Sequence, residues 1–115
     1  MSRQRPKSGA AKRSAPALLF AALGDKTRLA LVARLCSGQP ASIAQLSAGS
    51  RITRQAVTKH LRVLEHAGIV RGVRAGREHH FALDPNSIGE MQNYLDHVSR
   101  QWDDALARLK SFVER

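Results

Sequence analysis

The stretch from Ser42 to Ala67 constrains this chain more than any other. Its apolar residues fall into two short helical sets separated by a glycine. The first holds Ile43 and Leu46, Gly49 breaks it, and Thr53 is placed to cap a second helix in which Val57, Leu61 and Leu64 recur at i, i+4 and i+7. One face of the second helix is thereby committed to a core, and Arg54, Gln55, Thr58, Lys59 and Arg62 are left on the other. A basic helix that packs by one side and offers hydrogen-bond donors from the other suits a DNA major groove, where such side chains reach base edges and phosphates.

The charge of the chain supports a polyanionic partner. A length of 115 residues is enough for one core and one domain, and 19 Lys and Arg against 9 Asp and Glu leave a formal net charge of +10. Nucleic acid and an anionic membrane surface both fit that total. Its distribution is more informative: residues 51–80 carry seven basic side chains against two acidic, residues 1–15 carry five basic and none acidic, and the last 35 residues are slightly acidic. The C-terminal part is therefore suited to binding protein rather than DNA. A single cysteine, Cys36, cannot close an internal disulfide, no apolar run is long enough to span a bilayer, and no h-region follows the basic start. The expectation is a cytoplasmic protein with no membrane partner.

Taken in order, residues 1–15 form a basic arm without the apolar residues that would offset the entropy of ordering, and it is expected to be disordered. Two roles fit it equally: a phosphate-seeking tail and an inert solubilising leader. The folded domain is expected over residues 16–115. Pro16 suits the first turn of a short, very apolar helix with Leu18, Leu19, Phe20 and Leu23, ending at Gly24. Asp25 can cap the next helix, whose Leu29, Leu31, Val32, Leu35 and Cys36 spread round its circumference and place it between layers of the core. After Ala67-Gly68 the period changes to that of two strands, Ile69–Ala75 and Arg77–Asp84, turning at Gly76. His79, Phe81 and Leu83 share one face of the second strand, and Arg71, Arg74 and Arg77 lie along the hairpin and near its tip. From Pro85 or Ser87 onward the pattern is helical again. Met91, Leu95, Val98, Trp102, Ala105, Leu109 and Phe112 step by 4, 3, 4, 3, 4, 3, the spacing of a coiled-coil seam, and pairing with a second copy would bury it.

This arrangement is mainly α with a small β-hairpin wing, and it resembles the winged helix-turn-helix regulators of the ArsR/SmtB family. Three motifs carry the resemblance: Leu23-Gly-Asp-Lys-Thr-Arg-Leu; Ile52-Thr-Arg-Gln-Ala-Val-Thr-Lys-His-Leu-Arg-Val-Leu-Glu-His-Ala-Gly-Ile-Val; and Gly76-Arg-Glu-His-His-Phe-Ala-Leu-Asp-Pro. The resemblance covers roughly residues 16–113, and such a run of ordered matches is far more specific than one helix-turn-helix pattern. The resemblance implies a homodimeric, sequence-specific transcriptional regulator, usually a repressor, that binds double-stranded DNA at an inverted-repeat operator. Many members sense metals through two cysteines in the helix before the recognition helix. Here Ser42 and Ala44 stand at those positions, and hydroxyl and methyl groups cannot replace thiolate ligands. A second family site draws Asp and His from the closing helix; Asp96, His97, Asp103 and Asp104 are present, but no second histidine follows His97 there. Trp102-Asp-Asp-Ala-Leu-Ala-Arg-Leu is similar to a subgroup without those metal ligands, so neither a metal nor another cofactor is expected. No motif names an inducer, small molecule or otherwise.

Under the resemblance, Arg54, Gln55, Thr58 and Lys59 occupy the base-reading turns of the recognition helix, where Arg and Gln can pair bidentately with guanine and adenine. Arg62 fits a phosphate, Thr53 an N-cap that also touches phosphate, and Arg74 and Arg77 a minor groove or its phosphates beneath the wing. Dimerisation is expected through the N- and C-terminal helices, at Leu19, Met91, Leu95, Val98, Trp102, Leu109 and Phe112. His60 flanks the buried face, and packing is preferred for it over DNA contact. Cys36, among apolar neighbours, is taken as a small buried hydrophobe ahead of a redox sensor. No nucleophile, base and orienter occur together, so the chain is not read as an enzyme. Two other functions compete with a repressor: a metal- or thiol-responsive sensor of the same fold, and a helix-mediated protein-interaction module.

Overall fold

In the computed structural model, which describes residues 15–114, five helices and three strands follow in the order α1 (Ala15–Leu23), α2 (Lys26–Leu35), β1 (Ala41–Ser42), α3 (Ile43–Ser47), α4 (Arg54–His66), β2 (Val70–Ala75), β3 (Glu78–Leu83) and α5 (Pro85–Val113). Local chemistry sets most of these boundaries. Asp25 caps α2 by accepting the Arg28 N–H at 3.0 Å, and Thr53 caps α4 by accepting the Ala56 N–H at 3.0 Å. Ser42 and Gln45 form a reciprocal capping box at α3, with Ser42 Oγ accepting from the Gln45 N–H and Gln45 Oε1 accepting from the Ser42 N–H. The Ser42 hydroxyl thus starts the helix.

Two glycines make the turns that give the domain its shape. At the end of α4, Gly68 takes φ +85°, its N–H bonds the Glu65 carbonyl, and the Ile69 N–H bonds the Leu64 carbonyl at 2.9 Å. This is a Schellman cap, and the Leu64 and Ile69 side chains that accompany it are both fully buried. Between the long strands, Ala75 pairs with Glu78, so the loop is Gly76-Arg77 alone. Gly76 has φ +65° and no other residue there has positive φ, as a type II′ hairpin turn requires.

The sheet has three strands in the order β1-β3-β2, all antiparallel, with Ala41 paired to Phe81 and Val70 to Leu83. The two-residue strand β1 was not foreseen. Its backbone pairs with the outer edge of β3 and ties the wing to the start of α3, supporting a hairpin that would be marginal alone. A single core joins Leu19 of α1, Leu31, Val32 and Leu35 of α2, Leu46 of α3, Val57, Leu61 and Leu64 of α4, Ile69, Val70 and Phe81 beside and within the sheet, and Met91 of α5. The Ser87 hydroxyl donates to the Gly68 carbonyl, anchoring the first turn of α5 to the end of α4.

Three expectations need correction. Leu19 and Met91, assigned to a dimer interface, are 1% and 7% exposed in the core of the chain itself, so their apolar surface is already covered. Leu29 is exposed, because α2 buries only the side carrying Leu31, Val32 and Leu35; the helix is not sandwiched between layers. Cys36 is exposed, since it caps the C-terminus of α2 where the chain leaves the core. The basic N-terminal arm lies outside the described residues except for Ala15, which begins α1.

Candidate nucleic-acid interface

The surface built on α4 follows from its pattern. Val57 and Leu61 are 1% exposed and Leu64 is wholly buried, which fixes the rotation of the helix against the core. Arg54, Gln55, Lys59 and Arg62 are then exposed, and Thr58 is half-buried. Thr53, Gln55, Ala56, Thr58 and Lys59 line one concavity on the outer surface. Two of its hydroxyls have internal partners: Thr53 Oγ1 accepts from the Ala56 N–H, and Thr58 Oγ1 donates to the Arg54 carbonyl at 2.8 Å. Both can still serve an external group, because a hydroxyl is donor and acceptor at once. The N-terminal turn of α4 contains no acidic residue, so its free N–H groups and the helix dipole present positive potential beside Arg54. Arg51, counted above only as charge, is exposed two residues ahead of Thr53; its place in the turn is the signal that marks it.

The wing divides its arginines. Antiparallel register places Arg71 opposite Ala82 and Arg74 opposite His79, and because side chains alternate, Arg71 and Arg74 project from opposite faces. Arg77 sits in the turn, and all three are exposed. The Arg71-Arg74-Arg77 set is therefore not one row; only Arg74 and Arg77 belong to the tip. His79 and His80 part in the same way. The His79 ring lies 4.6 Å from that of Phe81 and fills the space that a Cβ at Gly72 would need, while His80 Nε2 lies 2.8 Å from Glu78 Oε1.

His60 is packed and bonded: Nδ1 is 3.3 Å from Nη1 of Arg28 and 3.9 Å from Oδ2 of Asp25. The Asp25 carboxyl is held below its ordinary value, chiefly by the Arg28 backbone N–H, with the Arg28 charge adding to the effect against a desolvation that opposes it. Among the described residues no three His, Cys, Asp or Glu side chains come together as a metal site, and no helix is long and apolar enough to cross a membrane.

On α5 the apolar seam is open beyond its first turns. Phe20 and Tyr94 bring α1 and α5 into ring contact at 5.8 Å, but Leu95, Trp102, Leu106 and Leu109 are 53–63% exposed, and Phe112 and Val113 are exposed as well. Val98 and Ala105 are half-buried.

A helix-turn-helix whose second helix shows a basic face, followed by an antiparallel wing, defines a winged helix-turn-helix DNA-binding protein. Comparison with known proteins gives its family. Residues 23–73 match a helix-turn-helix domain model. The chain is 33% identical over 99 residues to the HTH-type transcriptional regulator Rv2034 of Mycobacterium tuberculosis, covering 86% of this chain and 89% of that protein. Its fold superposes with a TM-score of 0.74 on an ArsR-like transcriptional regulator from Rhodococcus sp. RHA1, at 30% identity over 87% of this chain and 93% of the other. The fold is shared at a TM-score of 0.62 and 16% identity with the homodimeric winged helix-turn-helix DNA-binding domain of Mb0332 from Mycobacterium bovis, over 80% and 84% of the two chains. The chain belongs to the ArsR-like family of helix-turn-helix transcriptional regulators and is a DNA-binding regulator of transcription.

Proposed function

We propose that the protein is a repressor that binds an inverted-repeat operator as a homodimer in the cytoplasm, acting by occupancy rather than by catalysis. The observation that carries this reading is the two-sided α4: Val57, Leu61 and Leu64 are locked into the core while Arg54, Gln55, Lys59 and Arg62 face outward. In this reading Arg54 and Gln55 meet base edges, Thr58 and Lys59 complete the contact in the groove, and Thr53 and Arg62 hold flanking phosphates. Arg74 and Arg77 at the wing tip reach the neighbouring minor groove or its backbone. One copy reads a short half-site, and the open seam of α5 through Leu95, Val98, Trp102 and Leu109 supplies the second copy. The two half-sites are then about one helical turn, roughly 34–36 Å, apart.

Footprinting on the DNA upstream of the protein's own gene, followed by binding to the protected duplex at rising salt, tests the reading. The expected result is a two-fold symmetric footprint and a steep negative dependence of affinity on salt, losing roughly a thousandfold or more between about 50 and 200 mM. Binding insensitive to salt and to Arg54→Ala overturns it.

A further inference from the structure

At the junction of α1, α2 and α4 lies a polar cluster set apart from the DNA-facing surface. Arg28, in the first turn of α2, aims one guanidinium at two other helices. Its Nε donates to the Ala22 carbonyl at 2.6 Å, and its Nη1 lies 3.3 Å from His60 Nδ1. Ala22 is in the last turn of α1, where carbonyls lack intrahelical donors, so Arg28 satisfies one of them while reaching α4 with its other arm. Asp25 steadies the same residue by accepting its backbone N–H at 3.0 Å.

A guanidinium carries only donors and keeps its charge at every accessible pH. The nitrogen of His60 that meets it must therefore be the acceptor, which puts the ring proton on Nε2 and leaves the ring neutral in this arrangement. We infer that Arg28 and His60 are positioning residues for DNA reading: their bond sets the rotation of α4 against α1 and α2, aims the neighbouring Lys59 together with Arg54 and Gln55, and is released when His60 takes up a proton. This rests on the reading of α4 as the groove-facing helix.

Protonation at Nδ1 turns an acceptor into a donor facing a permanent cation. Asp25 Oδ2, 3.9 Å from Nδ1, offsets part of the new charge but cannot restore the bond to Arg28. The surroundings offer little else: α1 and α3 contain no titratable side chain, and α2 adds exposed Lys26 and Arg34, whose guanidinium bonds the Leu46 carbonyl. β2 adds exposed Arg71 and Arg74, and the other charged residues of α4, Arg54, Lys59, Arg62, Glu65 and His66, are exposed. Histidine is the side chain that ordinarily changes charge between about pH 5 and 8.

The test uses a duplex selected by the wild-type protein from a randomised pool. Affinity for that duplex is followed from about pH 8 to 5.5 for the wild type, His60→Gln and Arg28→Lys. Glutamine offers Arg28 an acceptor that does not titrate, whereas a lysine cannot serve both acceptors in the fork geometry of arginine. Relative to His60→Gln, the wild type is expected to lose about tenfold in affinity on acidification, and Arg28→Lys to show a similar loss already at neutral pH. Parallel wild-type and His60→Gln profiles overturn the proposal. So does a wild type that gains affinity in acid relative to His60→Gln, which is the behaviour of a histidine touching phosphate. Ring-nitrogen NMR of the free protein decides the bond without DNA: an Nε2–H tautomer for His60 is expected, and an Nδ1–H tautomer overturns it. A pool that yields no duplex counts against the DNA-reading surface, and the tautomer still decides the Arg28–His60 bond.

Discussion

Two amphipathic helices of this chain, α4 and the far half of α5, finish folding in opposite conditions. On α4 the face of Val57, Leu61 and Leu64, at most 1% exposed, is covered within the chain, and the remaining face is polar and basic apart from Val63, which is 43% exposed. On α5 the face carrying Leu95, Trp102, Leu106 and Leu109 stays more than half exposed. Burial of an apolar face is worth about 25 cal/mol per Å² wherever the covering surface comes from. The α4 face obtains it from the chain's own core, whereas α5 reaches about 43 Å at 1.5 Å per residue and outruns that core. A reader is thus complete in one chain, and its proposed pairing partner has to be a second one.

The largest expected effect breaks the comparison on the α5 side. Leu109→Glu places a charge in the open seam; light scattering should show a monomer, and operator affinity should fall by roughly a hundredfold or more because two linked half-site contacts become one. An unchanged mass with unchanged affinity would remove the distinction between the two helices. Next is the covered face of α4: Leu61→Ala should lower unfolding free energy by about 2–5 kcal/mol in denaturant titration, the cost of a cavity at a residue that is 1% exposed. The same truncation at exposed Leu106 should cost far less in a protein held monomeric.

A smaller effect comes from the polar face. Arg54→Ala should weaken operator binding by about 1–3 kcal/mol and relax the base preference at one position, and Arg62→Ala should weaken all sequences alike and reduce the salt slope by about one. Neither should move thermal stability, since both side chains are exposed. Smallest is the Asp25 cap. Its carboxyl is held below the ordinary value of 3.8, mainly by the Arg28 N–H, so the cap's contribution is fully present above that value and is lost as pH falls through the lower folded one. Acid unfolding of Asp25→Asn should lack that limb while the neutral-pH stability barely changes.

Much of this was legible in the residues. The spacing of Val57, Leu61 and Leu64, the caps at Asp25 and Thr53 and the glycine at the hairpin turn each depend on neighbours within a few positions, and each stands where the pattern placed it. The candidate surface was legible for the same reason: once three apolar residues choose the buried face, Arg54, Gln55 and Lys59 have nowhere else to go. What could not be read depends on distant parts of the chain. Whether Leu19 and Met91 face a partner or their own core, and whether Cys36 is covered, turns on which surfaces meet.

Periodicity and capping alone determined that this chain makes a two-sided basic helix, a wing and a long closing helix, because those are short-range consequences of side-chain shape and backbone donors. The tertiary structure decided how they bear on one another. It added β1 to the edge of β3, divided Arg71 from Arg74 through the register, and brought Arg28 from 32 residues away to His60. It also left the far half of α5 open, since a helix of that length extends past any core a chain of this size can build.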